Sequence, residues 1–109
     1  MSTEMEQKLL SALGFAARSG GLIFGTPQIC EALARQKRKG KYPLIVFEAA
    51  DTSENTHKRI SDRCAYYKVR HIKMSCDGAT LASSLGKSAV LAAVALTDEN
   101  LCRLAEKYI

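Results

Sequence analysis

The sequence predicts an α/β fold: a three-layer α/β/α sandwich around a central mixed sheet of about four strands, with residues 1–109 forming a single domain. Three observations lead there. Segments with apolar residues at helical spacing alternate along the whole chain with short apolar runs, the pattern of strands linked by crossover helices. The run Leu44-Ile45-Val46-Phe47 is apolar without a break, as expected of a strand covered on both faces. No linker, repeat or low-complexity stretch divides the 109 residues, and a chain of that size buries a core without disulfides or a structural metal.

The elements follow in order. Thr3-Glu4-Met5-Glu6 fits a capping box, with Thr3 as N-cap and Glu6 reaching back. Met5, Leu9, Leu10, Leu13, Ala16 and Ala17 then repeat at helical spacing, so a helix runs from about residue 3 to about residue 18 and ends at Gly20-Gly21. Leu22-Ile23-Phe24 reads as a short strand. Gly25 turns the chain into a second helix with Thr26 as N-cap and Pro27 at the first helical position. Ile29, Ala32 and Leu33 form its apolar face, Lys37, Arg38 and Lys39 crowd its last turn, and Gly40 stops it. Tyr42 to Glu48 is the clearest strand. Thr52 or Ser53 caps the next helix, where Thr56, Ile60, Cys64 and Tyr67 line one side and Lys58, Arg59 and Arg63 a solvated one. Val69 to Met74 reads as a strand, and Asp77 or Ser75 opens a small helix that Gly86 ends. Ala89 to Leu96 is a small-residue, buried strand, and Thr97 caps a last helix whose Leu101, Leu104 and Ala105 face the core.

Composition narrows the function. The net charge is +5 and the pI about 9.2. Between Arg35 and Lys73 eleven lysines and arginines stand against four acidic residues, while the remainder of the chain is slightly acidic. A basic middle on such a frame is an electrostatic footprint for nucleic acid. With no Trp and only seven aromatic residues, a base-stacking platform is not expected. No apolar run spans a membrane, and the acidic start, Met-Ser-Thr-Glu-Met-Glu, lacks a signal-peptide apolar region, so a cytoplasmic chain is expected. Cys30, Cys64, Cys76 and Cys102 form no C-x-x-C pair, and His57 and His71 are not at ligand spacing with them. Reduced, buried cysteines and no metal or other cofactor are expected. The histidines read as surface or internally satisfied residues. No nucleophile–base pair or Gly-rich phosphate loop appears, which argues against an enzyme.

The second helix offers chemistry of its own. Free amides at its start favour an anion or a nucleic-acid backbone.

Several blocks carry a resemblance. Ala49-Ala50-Asp51-Thr52-Ser53-Glu54-Asn55-Thr56, followed by Lys58, Ile60, Cys64, Tyr66-Tyr67 and Val69, resembles the bacterial YlxQ-like branch of the ribosomal protein seven-Ae superfamily of kink-turn RNA binders. Leu13 to Gly20, Leu85-Gly86-Lys87 with the strand after it, and Ala95-Leu96-Thr97-Asp98 agree with it. The resemblance covers nearly the whole chain. It implies an α/β/α sandwich without catalytic activity and a small RNA-binding protein, ribosome- or translation-associated, with structured RNA and the ribosome as partners and no membrane. It implies two contact places: Gly25, Thr26, Pro27 and Gln28 at the second helix start, and Leu85, Gly86, Lys87 and Ser88 in the loop before the last strand. There, amides and glycine approach phosphate, a polar side chain reads exposed guanine edges, and Leu85 covers a flipped-out base. Lys37 and Lys41 join these as backbone contacts.

The chain departs from the strong binders of that superfamily, which carry an Asn-Glu pair where Pro27-Gln28 stands here and commonly a Lys at Glu31. Pro27 lacks a donor, and Gln28 cannot supply charged acceptance. Glu48 stands where an apolar strand residue is usual, and Ala50 where an acidic one is. A second reading therefore stays open: a protein-interaction module on the same fold, with a protein partner and the kink-turn specificity lost.

Overall fold

A computed structural model describes residues 3–35 and 41–109. Among these, five helices and four strands alternate: α1 (Thr3–Arg18), β1 (Leu22–Phe24), α2 (Thr26–Arg35), β2 (Ile45–Glu48), α3 (Glu54–Tyr67), β3 (Arg70–Lys73), α4 (Gly78–Ser84), β4 (Ala93–Leu96) and α5 (Glu99–Glu106). The strands form one mixed sheet in the order β1-β4-β2-β3. β4 is antiparallel to both its neighbours, and β2 is parallel to β3. The ends of β1, β2 and β3 and the start of β4 thus share one end of the sheet.

Strand alternation divides the core into two layers. Ile45 and Phe47 of β2, with Val94 and Leu96 of β4, pack against Leu9 and Leu13 of α1, Leu81 of α4 and Cys102 of α5. Val46, Ala93 and Ala95 face the other way, against Ile29 and Leu33 of α2 and Ile60 and Cys64 of α3. The α/β/α sandwich and the doubly covered β2 are as expected. All four residues of β2 are buried, including Glu48, which alternation sends to the α2/α3 side.

Local chemistry corrects several element ends. The Gly25 carbonyl accepts from the Ile29 amide at 3.0 Å, so Gly25 rather than Thr26 is the cap of α2, and Pro27 is its second residue. Pro27 still falls where the amide has no helical partner, so it breaks no bond of the ladder. Asp98 rather than Thr97 caps α5: its carboxylate accepts from the Asn100 and Leu101 amides at 2.8 and 3.2 Å, while the Thr97 amide donates to the Gly21 carbonyl. Ser53 caps α3 and Asp77 caps α4. Bonding to Thr80 holds the Asp77 carboxyl below its ordinary range. Glu6 closes no capping box; its carboxylate crosses to the Ser75 amide.

The expected strand from Ala89 is half its length. Leu91 donates its amide to the Gly78 carbonyl at 3.2 Å, and this turns residues 89–92 against the start of α4. The sheet begins only at Ala93, and Val90 is 68% exposed. Leu85 belongs to the core and not to an exposed loop: it is buried with Leu81 beneath α1, because α4 carries it inward before the chain turns at Gly86. The expected basic turn at Lys37, Arg38, Lys39 and Gly40 lies outside the described residues.

Candidate nucleic-acid interface

Two separated segments meet at the sheet end where β1 stops and β4 starts. The first is Gly25-Thr26-Pro27-Gln28. Gly25 donates its amide to the Ala93 carbonyl at 3.0 Å and takes a φ of +89°. A Cβ there would fall 2.8 Å from Gln28 Oε1, so a side chain would meet both strain and the folded-back Gln28 amide. Pro27 and Gln28 are exposed, whereas Thr26 turns inward. Its hydroxyl is buried and, among the described residues, has no hydrogen-bond partner.

The second segment is Gly86-Lys87-Ser88, all exposed. The Lys87 amide donates to the Ala82 carbonyl at 2.9 Å, which fixes the loop to the end of α4. The Lys87 ammonium lies 4.4 Å from the centroid of the Phe24 ring, on the last residue of β1. This contact brings a cation of the second segment beside the first. The cation and the exposed Pro27 and Gln28 at the start of α2 together form a surface suited to a polyanion.

Not every anticipated residue joins this surface. Lys41 sits at the opposite end of β1, its ammonium donating to the Gly20 carbonyl at the close of α1. Leu85 lies under the loop as part of the core. Lys37 lies outside the described residues. Glu31 is exposed on α2, and Lys58, Arg59 and Arg63 form the solvated basic side of α3, as expected.

Sequence reasoning missed one cluster at the same end of the sheet. The Glu48 carboxylate is fully buried. His57 Nδ1, from the first turns of α3, lies 2.8 and 2.9 Å from its two oxygens, and His71 Nε2, from β3, lies 2.7 Å from one of them. The histidines are internally satisfied, as anticipated, but by a shared partner. Separations of nine and fourteen residues match no local motif. The available signal was an acid at the end of the apolar β2 run.

Comparison with known proteins agrees with this architecture. The profile of the Ribosomal protein L7Ae/L30e/S12e/Gadd45 family matches residues 7–105. The chain is similar to the RNA-binding protein YlxQ of Bacillus subtilis (strain 168), 33% identical over 87 residues, which covers 80% of each chain. It is 38% identical over 69 residues to the RNA-binding protein YlxQ of Enterococcus faecium, covering 63% of this chain and 62% of that one. Among solved structures, a Bacillus halodurans protein of unknown function superposes with a TM-score of 0.79 at 24% identity, over 93% of this chain and 95% of that one. The Giardia lamblia 15.5kD RNA binding protein superposes at 0.78 and 15% identity, over 99% of this chain and 87% of that one. These two likenesses show the shared fold.

Proposed function

The chain belongs to the Ribosomal protein L7Ae/L30e/S12e/Gadd45 family, and on that premise we propose that it is a small cytoplasmic RNA-binding protein of the bacterial YlxQ type. It acts by binding, without catalysis, on structured RNA of the kink-turn kind in a ribosomal or translation-linked setting. The observation that carries this reading is the meeting of Gly25-Thr26-Pro27-Gln28 with Gly86-Lys87-Ser88, joined by Lys87 over Phe24. Gly86 lets an RNA backbone approach closely, Lys87 meets phosphate, and Gln28 offers a neutral amide to base edges. Thr26 shapes the helix start from within, and Leu85 supports the loop from below. Lys41, at the far end of β1, is reached only by a longer RNA.

Glu31, exposed on α2, repels phosphate there, so binding tighter than a plain duplex requires shape recognition. The test is equilibrium binding to a kink-turn RNA and to an uninterrupted duplex of equal length, at two salt concentrations. A clear preference for the kinked RNA is expected. Lys87→Ala should weaken binding and lower the magnitude of the salt slope by about one. Equal, weak and strongly salt-dependent binding of both RNAs would overturn the kink-turn reading and leave the same surface to a protein partner.

A further inference from the structure

We propose that Glu48, His57 and His71 form a binding site for one first-row divalent transition-metal ion of the zinc class. Their donor atoms all lie within 4.8 Å of one another. Among the described residues this is the group of three that can hold a metal, and none of its members is a cysteine. The site lies at the same end of the sheet as the RNA segments but rests on none of the RNA reading.

The chemistry of the three groups supports a shared cation. An ionised carboxylate only accepts, so each imidazole nitrogen facing Glu48 must carry a hydrogen when no metal is bound. A dication placed between them substitutes for those hydrogens. It takes one lone pair from His57 Nδ1, one from His71 Nε2 and one from the carboxylate. Zinc–ligand bonds of about 2.0–2.2 Å place tetrahedral donor atoms roughly 3.3 Å apart. Glu48 now sits 2.7–2.9 Å from the two nitrogens, so loading requires it to withdraw by about half an ångström. Such a motion is within reach of a glutamate side chain hinged on a fixed strand.

The supports are rigid and the access is open. Glu48 ends β2, His71 lies on the neighbouring β3 opposite Val46, and His57 is held by its amide bond to the Ser53 carbonyl at 2.8 Å. Side chains on strands and helices hold ligand geometry better than loops do. The Glu48 carboxylate is sealed from solvent, while the His57 side chain is 42% exposed and that of His71 17%. An ion enters past His57, and a water completes its fourth position. Two imidazoles and one carboxylate suit zinc, iron(II) or nickel, whereas magnesium and calcium prefer all-oxygen shells.

The test uses the full chain, without a histidine tag and stripped by chelator, titrated calorimetrically with zinc and separately with magnesium. One zinc per chain and no magnesium are expected. Cobalt(II) should give weak visible bands of a nitrogen–oxygen site without the intense absorption of a thiolate ligand. His57→Ala alters a solvent-reaching residue, and its retained fold is checked by circular dichroism. It should weaken zinc at least by the roughly 10–100-fold that losing even an outer-shell partner costs. His71→Asn should do the same. Absence of zinc binding, equal affinity in His57→Ala, or a cobalt thiolate band abolished by Cys64→Ser would each overturn the proposal.

Discussion

Glu6 is 7% exposed in the first turns of α1, and its carboxylate accepts the Ser75 amide at 2.6 Å. The bond ties the first helix to the connection between β3 and α4, sixty-nine residues away. A hydrogen bond to a buried charged group contributes about 1.5–3 kcal/mol. Glu6→Ala should therefore lower the unfolding free energy by about 2 kcal/mol, and Glu6→Gln, which keeps an acceptor oxygen, by less. Urea denaturation measures both; equal losses would show that the side-chain volume matters and not the acceptor. The local sequence pointed Glu6 toward its own helix start, because a capping box is defined by nearby spacing. What redirected it was the arrival of Ser75, which no local pattern contains. The same holds for Glu48: its burial follows from strand alternation, but its two imidazole partners come from α3 and β3.

The α4 start shows how one element sets another. A Cβ on Gly78 would lie 2.6 Å from Val90 Cγ1 and 2.7 Å from the Leu91 carbonyl oxygen. The second of these is backbone, held in place by the Leu91 amide bond to Gly78. Gly78→Ala should thus destabilise the chain by about 1–3 kcal/mol and displace residues 87–92, which an amide-shift map would localise. Unchanged shifts in that segment would show that the contact yields elsewhere. This packing also explains why β4 is shorter than its apolar run. Ala89 to Leu96 has strand composition throughout, yet the Leu91 amide bonds to Gly78 of α4, and strand pairing begins only at Ala93. Capping is local chemistry, so the sequence narrows these helix starts to Thr52 or Ser53 and to Asp77 or Ser75, and the observed bonds choose Ser53 and Asp77. Thr26 and Thr97 were misread for a related reason: each precedes or follows a competing cap, and only the observed bonds choose between them.

Across the molecule, the two core layers decide how the cysteines behave. Burial pushes the Cys64 and Cys102 thiols from 9.0 up to about 11, with nearby Cys30 and Glu48 adding to it for Cys64, and Glu106, Asp98 and Glu99 for Cys102. Below pH 9 both folded and unfolded chains hold these protons, so no stability change arises. Between about 9 and 11 the unfolded chain releases them while the folded chain does not, and stability falls as pH rises. Urea midpoints should drop across that window, less so in Cys102→Ala. At pH 8 the native thiols should react with a disulfide reagent far more slowly than in denaturant, since the thiolate is the nucleophile. Equal rates would mean that the layers open without global unfolding.

Periodicity, an uninterrupted apolar β2 and the local caps are properties of neighbouring residues, so the amino-acid order alone established the alternation of elements, the three-layer sandwich and the solvated basic side of α3. Resemblance along the chain pointed to the two contact segments at Gly25 and Gly86. Which of their residues share a surface was settled by the sheet order β1-β4-β2-β3. It brings Lys87 to Phe24 and leaves Lys41 at the far end of β1, while the end of α4 sends Leu85 inward. The Glu48, His57 and His71 cluster likewise exists only once β2, β3 and α3 are packed. The physical reason is the same in each case: side-chain periodicity is set by backbone geometry within an element, whereas contacts between elements depend on register and crossover, which neighbouring residues do not encode.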